Sequence, residues 1–257
     1  MTEASIVNPV AQPCFYVQRL IMANKIQAEN IEPMLKQLAV EAEAVNPALA
    51  DKLKNLCRWI KGKSPGKLRE KKYVAAVLTQ LINDIRAWLV LNELSDNDRE
   101  IVFSQKSPAQ RYWFESLLPE WFANEDKYLP NWKQKLMQGK YEDDDEPFRN
   151  VLIWQIKERK GNTLWRYLLD LSMGTDLIIN HTQNAPLCIQ YTKSSEDNTA
   201  EKRDKWEKTL RYWGIERGIF VRVHPKSRNP GIVKLANLSL VQSDNLSSGC
   251  YSDFNID

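Results

Sequence analysis

The chain has 257 residues, 43% of them hydrophobic, and a formal net charge of +3. That is apolar material enough for one large domain or two small ones, but too little charge for the whole molecule to act as a polycation, so any affinity for nucleic acid has to come from local clusters. Two histidines, His181 and His224, argue against imidazole metal centres and Ser/His/Asp hydrolysis, and Cys14, Cys57, Cys188 and Cys250 show neither CxxC spacing nor a disulfide framework, which sets the expectation of a reducing cytoplasmic compartment.

From about Pro13 to Leu94 the apolar residues recur with helical period, and Val74, Val77, Leu78, Leu81, Ile82 and Ile85 mark the buried stripe of one long helix. Pro33 and Pro47 are expected near helix starts, "KGKSPGK" (61–67) breaks the chain, and Ser107 and Pro108 read as an N-cap followed by proline at the first helical position. Apolar runs such as "YVAAVL" and "AWLVL" are too short to cross a bilayer core of ~30 Å, so no membrane partner is expected. The nine tryptophans are expected chiefly as core anchors.

Residues 51–73 hold nine Lys or Arg against two acids. Lys61, Lys63, Lys67, Arg69, Lys71 and Lys72 are the candidate phosphate contacts there, with a solvated helix-loop-helix as the plain alternative. The embedded "GKS" at 62–64 is no phosphate loop: Cys57 stands where that motif needs a glycine, and no strand precedes it.

The acidic stretch "YEDDDEP" (141–147) reads as a solvated linker, dividing a helical domain, 1–140, from an α/β domain, 147–257. Two helical segments follow, "FRNVLIWQIKERK" and "TLWRYLLDLSM", the second capped by Asn162. The pattern then changes to strand 175–180, strand 187–193, helix 199–213, strand 218–224, a weaker strand near 231–241 and a polar tail. Asn198 and Glu201 have capping-box spacing, Trp206, Leu210 and Trp213 line one face of that helix, and Gly214 ends it. The fold class expected is α+β, a helical N-terminal region followed by a small α/β core with a mixed sheet.

Helix, a strand bearing Asp176 in "GTDLII", a strand bearing Gln190 and Lys193 in "LCIQYTK", helix, strand: this order resembles the PD-(D/E)XK superfamily of restriction-endonuclease-like nucleases, over residues 163 to about 224. The resemblance implies that Asp176 and Gln190 hold Mg2+ or Mn2+, that the metal supplies hydroxide and stabilises the attacked phosphate, and that a lysine orients water. Family spacing places that lysine at Thr192, one residue before Lys193 and on the opposite face of a regular strand; a bulge at Tyr191 or Thr192 would bring Lys193 round. The family also carries a strand between its first helix and the Asp strand, for which "LLDLSMGTDL" leaves no room. Read from the residues alone, Asp176 is equally a turn residue bonding nearby backbone.

Lys202, Arg203, Lys205, Lys208 and Arg211, on the helix after Lys193, are expected to flank a nucleic-acid groove. The functional expectation is therefore a nuclease-fold protein acting on DNA or RNA by metal-dependent phosphodiester hydrolysis. The alternative is a non-catalytic nucleic-acid-binding or assembly subunit of a multi-protein, defence-type complex, with the helical region meeting a protein partner.

Overall fold

The computed structural model describes residues 25–183, 185–192, 199–224 and 229–256, and they form an α+β protein. The chain divides into two compact units between Gln105 and Lys106, so the acidic stretch 141–147 falls inside the second. Its charges are not all left in water: Asp143 accepts both guanidinium arms of Arg149, at 2.8 and 2.6 Å, with both side chains almost sealed from solvent. The same guanidinium lies 4.2 Å from the centre of the Trp165 ring. A buried bidentate pair of this kind is folded structure, because separating the partners strands a charge in low dielectric.

The first unit is helical: α1 (Ala28–Glu43), α2 (Pro47–Ile60), α3 (Pro65–Glu70), α4 (Lys72–Glu93) and α5 (Asp96–Ser104). The part of the helical reading that lies before residue 25 is outside the described residues. Asn46 caps α2 by accepting from Leu49 N, and Ser64 caps α3 by accepting from Lys67 N, each followed by proline at the first position. Pro33 instead lies inside α1, since Ala28 and Ile31 upstream of it are buried and draw the helix start back. Helix α4 contains an 18-residue stretch long and apolar enough to cross a membrane, a property that the short apolar runs conceal. Its stripe from Val74 to Ile85 is nonetheless buried within this unit, where α4 packs on α1 and α3, and it serves there as a core helix.

The second unit opens with α6 (Pro108–Tyr112), capped by Ser107 and Gln110 in a capping box, which continues through a π-helical turn (Trp113–Leu117) into α7 (Leu118–Ala123). Pro119 has no N–H to give to the preceding turn, and the wider turn, closed by Leu118 N on Trp113 O, lets the helix run past it. Then come α8 (Leu129–Gln138), α9 (Glu146–Glu158), β1 (Asn162–Leu164), α10 (Tyr167–Met173), β2 (Leu177–Asn180), β3 (Leu187–Thr192), α11 (Thr199–Tyr212), β4 (Gly218–Val223), α12 (Asn229–Asn245) and β5 (Tyr251–Ile256).

The five described strands form one sheet in the order β1-β2-β3-β4-β5, antiparallel from β1 to β3 and parallel from β3 to β5. Each parallel step needs a crossover, supplied by α11 and then α12. Three expectations are corrected. Asn162 is no helix cap but the first residue of β1, and the helix resumes only at Tyr167. The weak strand near 231–241 is part of α12, whose buried Ile232, Leu235, Ala236, Ser239, Leu240 and Ser243 recur at helical spacing. The polar tail contains β5, an edge strand paired in register with β4 from Gly218↔Tyr251 to Val223↔Ile256. The Asn198 capping reading lies outside the described residues.

One face of the sheet carries Leu177, Ile179, Ile189, Tyr191, Ile219 and Val221 into the core beneath α9 and α12, each such side chain contributing about 1.5–3 kcal/mol on burial. By strand alternation the other face presents Gln190, Thr192 and Phe220. There α11 approaches closely. A Cβ on Gly218 would stand 2.5 Å from Leu210 Cδ1 and 3.0 Å from the rigid Trp206 ring. Gly218→Ala is therefore expected to destabilise the second unit by about 1–3 kcal/mol, read from the shift of the urea unfolding midpoint.

Candidate functional site

Helix α10 ends at Gly174, whose left-handed φ of 59° turns the chain sharply into β2. Gly174 O accepts from Trp206 Nε1 at 3.0 Å, which ties α11 to the turn. Two residues on, Asp176 N donates to Ile189 O at 2.7 Å, and Asp176 Oδ2 accepts from Tyr191 N at 2.7 Å. The carboxyl thus takes over the ladder where β2 backbone pairing ends, binding backbone across the sheet and not within its own turn.

Asp170, on α10, accepts from the Tyr141 hydroxyl through Oδ2 at 2.9 Å. No second hydrogen bond from a described residue reaches the carboxyl of Asp170 or Asp176. Both residues keep some surface open to solvent while their carboxyls are desolvated, and this desolvation is the main cause that raises both above the ordinary carboxylate range. The charge of Asp170 pushes Asp176 further in the same direction. Asp143 and Asp145 add to the rise at Asp170, against the Tyr141 hydrogen bond and Arg149. Two desolvated carboxyls that repel each other suit a bound cation or a shared proton. The buried thiol of Cys188 is pushed up to about 12, chiefly by desolvation, and is no nucleophile.

Asp170 and Gln190 line a cleft of about 330 Å³ beneath α11, together with Thr192, Lys202, Lys205 and the Phe220 ring. Asp176 is not among its lining residues, although the charge of Asp170, which is, acts on its carboxyl. Strand β3 is regular: its register with β4 runs unbroken from Cys188↔Gly218 to Thr192↔Arg222, with Tyr191 packed 5.0 Å from Phe148 on the core side. The described residues hold no bulge at Tyr191 or Thr192, and Lys193 lies beyond them. Gln190 Nε2 donates weakly to Tyr191 O at 3.4 Å, and its amide oxygen accepts from no described residue.

The two expected phosphate-contact clusters lie in different units. In the first, Lys61, Lys63, Lys67 and Lys72 are exposed around the α2–α3 turn and the start of α4, and Lys71 is half-buried. Arg69 is engaged by Glu29 at 2.9 Å. In the second, Lys202 is exposed on the cleft, whereas Arg203 is taken up by Glu207 and Asp253, at 3.1 and 2.6 Å. Lys205, another of the cations expected to flank a groove, is also exposed on the cleft, and the residue not anticipated from the sequence is Asp170. The signal for Asp170 was present, an acid embedded in "YLLDLSM", an otherwise apolar helix beside the Asp176 strand.

Among the described residues no three Asp, Glu, His or Cys side chains converge on a metal position. The oxygen donors at hand are the Asp170 and Asp176 carboxylates and the Gln190 amide. That set fits Mg2+ or Mn2+, which bind through one or two carboxylates and complete their shell with water and substrate phosphate. Comparison of the chain with protein-family models, with curated proteins and with solved structures gives no match.

Proposed function

We propose that the chain is a divergent nuclease-fold protein of the PD-(D/E)XK type that acts on nucleic acid in the cytoplasm by metal-dependent phosphodiester hydrolysis. The observation that carries this reading is the cleft that Asp170 and Gln190 line together with Lys202 and Lys205, with the Asp176 carboxyl within electrostatic reach of Asp170. The element order supports it: helix α9, the antiparallel β1-β2-β3, helix α11 and the parallel β4. Strand β1 supplies the strand before the Asp strand for which the sequence left no room, with α10 inserted between the two.

When bound, Mg2+ or Mn2+ would supply an activated water and offset the charge growing on the attacked phosphate. Asp170, Asp176 and Gln190 would hold it. Lys202 and Lys205 would orient the phosphodiester, while Thr192 stands where the family's water-orienting lysine would be. A second reading, a non-catalytic binding subunit within a larger assembly, is favoured by one observation, the regular β3 strand that points Thr192 into the cleft.

Incubation of the purified chain with single-stranded and duplex DNA and RNA separates the readings. Cleavage is expected with Mn2+ or Mg2+, none with EDTA, and a loss of on the order of 10²-fold or more in Asp176→Ala. No cleavage of any of these substrates with either metal would leave the binding reading standing alone.

A further inference from the structure

The cleft at Asp170 does not end there. A second cleft of about 660 Å³, lined by Asn131, Gln134, Lys135, Gln138 and Lys140 of α8 and its C-terminal turn, shares Tyr128, Asp170, Leu171 and Lys205 with the first. The two make one continuous groove between α8 and α11, inside the second unit. Its cations differ from their neighbours. On α11, Arg203, Lys208 and Arg211 each reach a carboxylate, at 2.6, 2.6 and 3.9 Å. Lys135, Lys140, Lys202 and Lys205 line the groove, are exposed, and meet no carboxylate in an ion pair among the described residues. Positive charge is neutralised elsewhere on the helix and left standing where the surface is concave, which concentrates the field in the groove.

From this we infer that the groove binds a single strand of nucleic acid, with its backbone tracked by Lys135, Lys140, Lys205 and Lys202 and one phosphodiester carried past Asp170. The inference takes from the proposed function only that the ligand is nucleic acid. The strand is single because clefts of a few hundred Å³ take ligands of nucleotide size, while a duplex, with its phosphates on a wide cylinder, reaches only the rims. Exposed Asn131, Gln134 and Gln138 offer amide groups to bases or sugars along the way, and affinity built on lysine–phosphate contacts carries little sequence preference.

The test is a binding titration of the full chain with a fluorescein-labelled twelve-nucleotide DNA strand, alone and annealed to its complement, in EDTA over a range of salt. Tighter binding of the single strand is expected. The Lys135→Gln/Lys140→Gln and Lys202→Gln/Lys205→Gln variants should each weaken it at least tenfold at low salt and reduce the salt slope by about 1.4, since each neutralised phosphate contributes about 0.7. Lys208→Gln, outside the groove's unpaired set, should change the slope little. Duplex preference, groove variants that bind as the wild type does, or no binding by the wild type at low salt would each overturn the inference. Binding that follows the expectation without any cleavage on added Mn2+ would sink the hydrolysis reading and leave the groove intact.

Discussion

Asp126→Ala is expected to destabilise the second unit by about 3–5 kcal/mol, the range for breaking a buried polar network. Asp126 is 4% exposed and sits between α7 and α8. Its Oδ2 accepts from Trp121 Nε1, Trp132 Nε1 and Ser172 Oγ at 3.0, 3.3 and 2.6 Å, and its Oδ1 from the backbone N–H groups of Tyr128 and Leu129 at 2.9 and 3.1 Å. Removing the carboxyl takes an acceptor from all five donors where water cannot replace it, though Trp132 keeps Ser172 Oγ and Leu129 N keeps the Asp126 backbone carbonyl, each at 3.1 Å. Asp126→Asn should cost nearly as much, because its amide NH2 would face indole N–H groups that also donate. Glu158→Ala, at an exposed helix end, should stay within about 0.5 kcal/mol. Urea unfolding followed by tryptophan fluorescence reads all three. A midpoint for Asp126→Ala close to the wild type's would mean that apolar packing alone holds these tryptophans.

The same network connects to the site. Ser172 belongs to α10, and its carbonyl accepts from Trp213 Nε1 at 2.8 Å, so Asp126 helps to fix the helix that carries Asp170. Helices with a continuous stripe, caps and prolines were legible in the sequence: α2, α4, the start of α6, and α11 with Trp206 and Leu210 buried and Trp213 buried just past its end; α3 was not, since its first three residues fall in the stretch read as a break. So were β2, β3 and β4, because short apolar runs between turn residues have few other uses. What escaped was decided by tertiary partners. Three residues of β1 count as a strand only because β2 lies beside them, and β5, polar along most of its length, is a strand because β4 offers an open edge. In α12, Ile232 and Val233 are strand formers by propensity, and burial against the sheet overrides them. At the site, Asp176 and Gln190 were legible as residue types on adjacent strands. Their separation was not, since it depends on the hydrogen bond that turns the Asp176 carboxyl to Tyr191 N and on Asp170, which arrives from an inserted helix.

That carboxyl pair carries the largest expected functional effect, and its sign is fixed by linkage. Desolvation and the charge of Asp170 raise the folded-state pKa of Asp176 above the unfolded value of about 4. Between those two values the folded chain holds more protons than the unfolded one, so stability falls as pH rises through that window. The metal-free wild type should accordingly lose thermal stability on going from pH 4 towards neutral. Mn2+ should restore it, because the ion binds the folded, ionised pair and hardly the unfolded chain. Asp176→Asn removes the charge while its amide oxygen still accepts from Tyr191 N, so it should flatten the pH profile, raise the melting temperature near neutrality and abolish the response to Mn2+. If it also lowers cleavage by about 10²-fold or more, a more stable protein with less activity is what a charge kept for chemistry produces. Thermal melts of wild type, Asp176→Asn and Asp170→Asn across pH, with and without Mn2+, give the measurement. A wild-type profile that rises from pH 4 to neutrality and ignores Mn2+ would make the two carboxyls structural acceptors and remove the basis for a metal at this site.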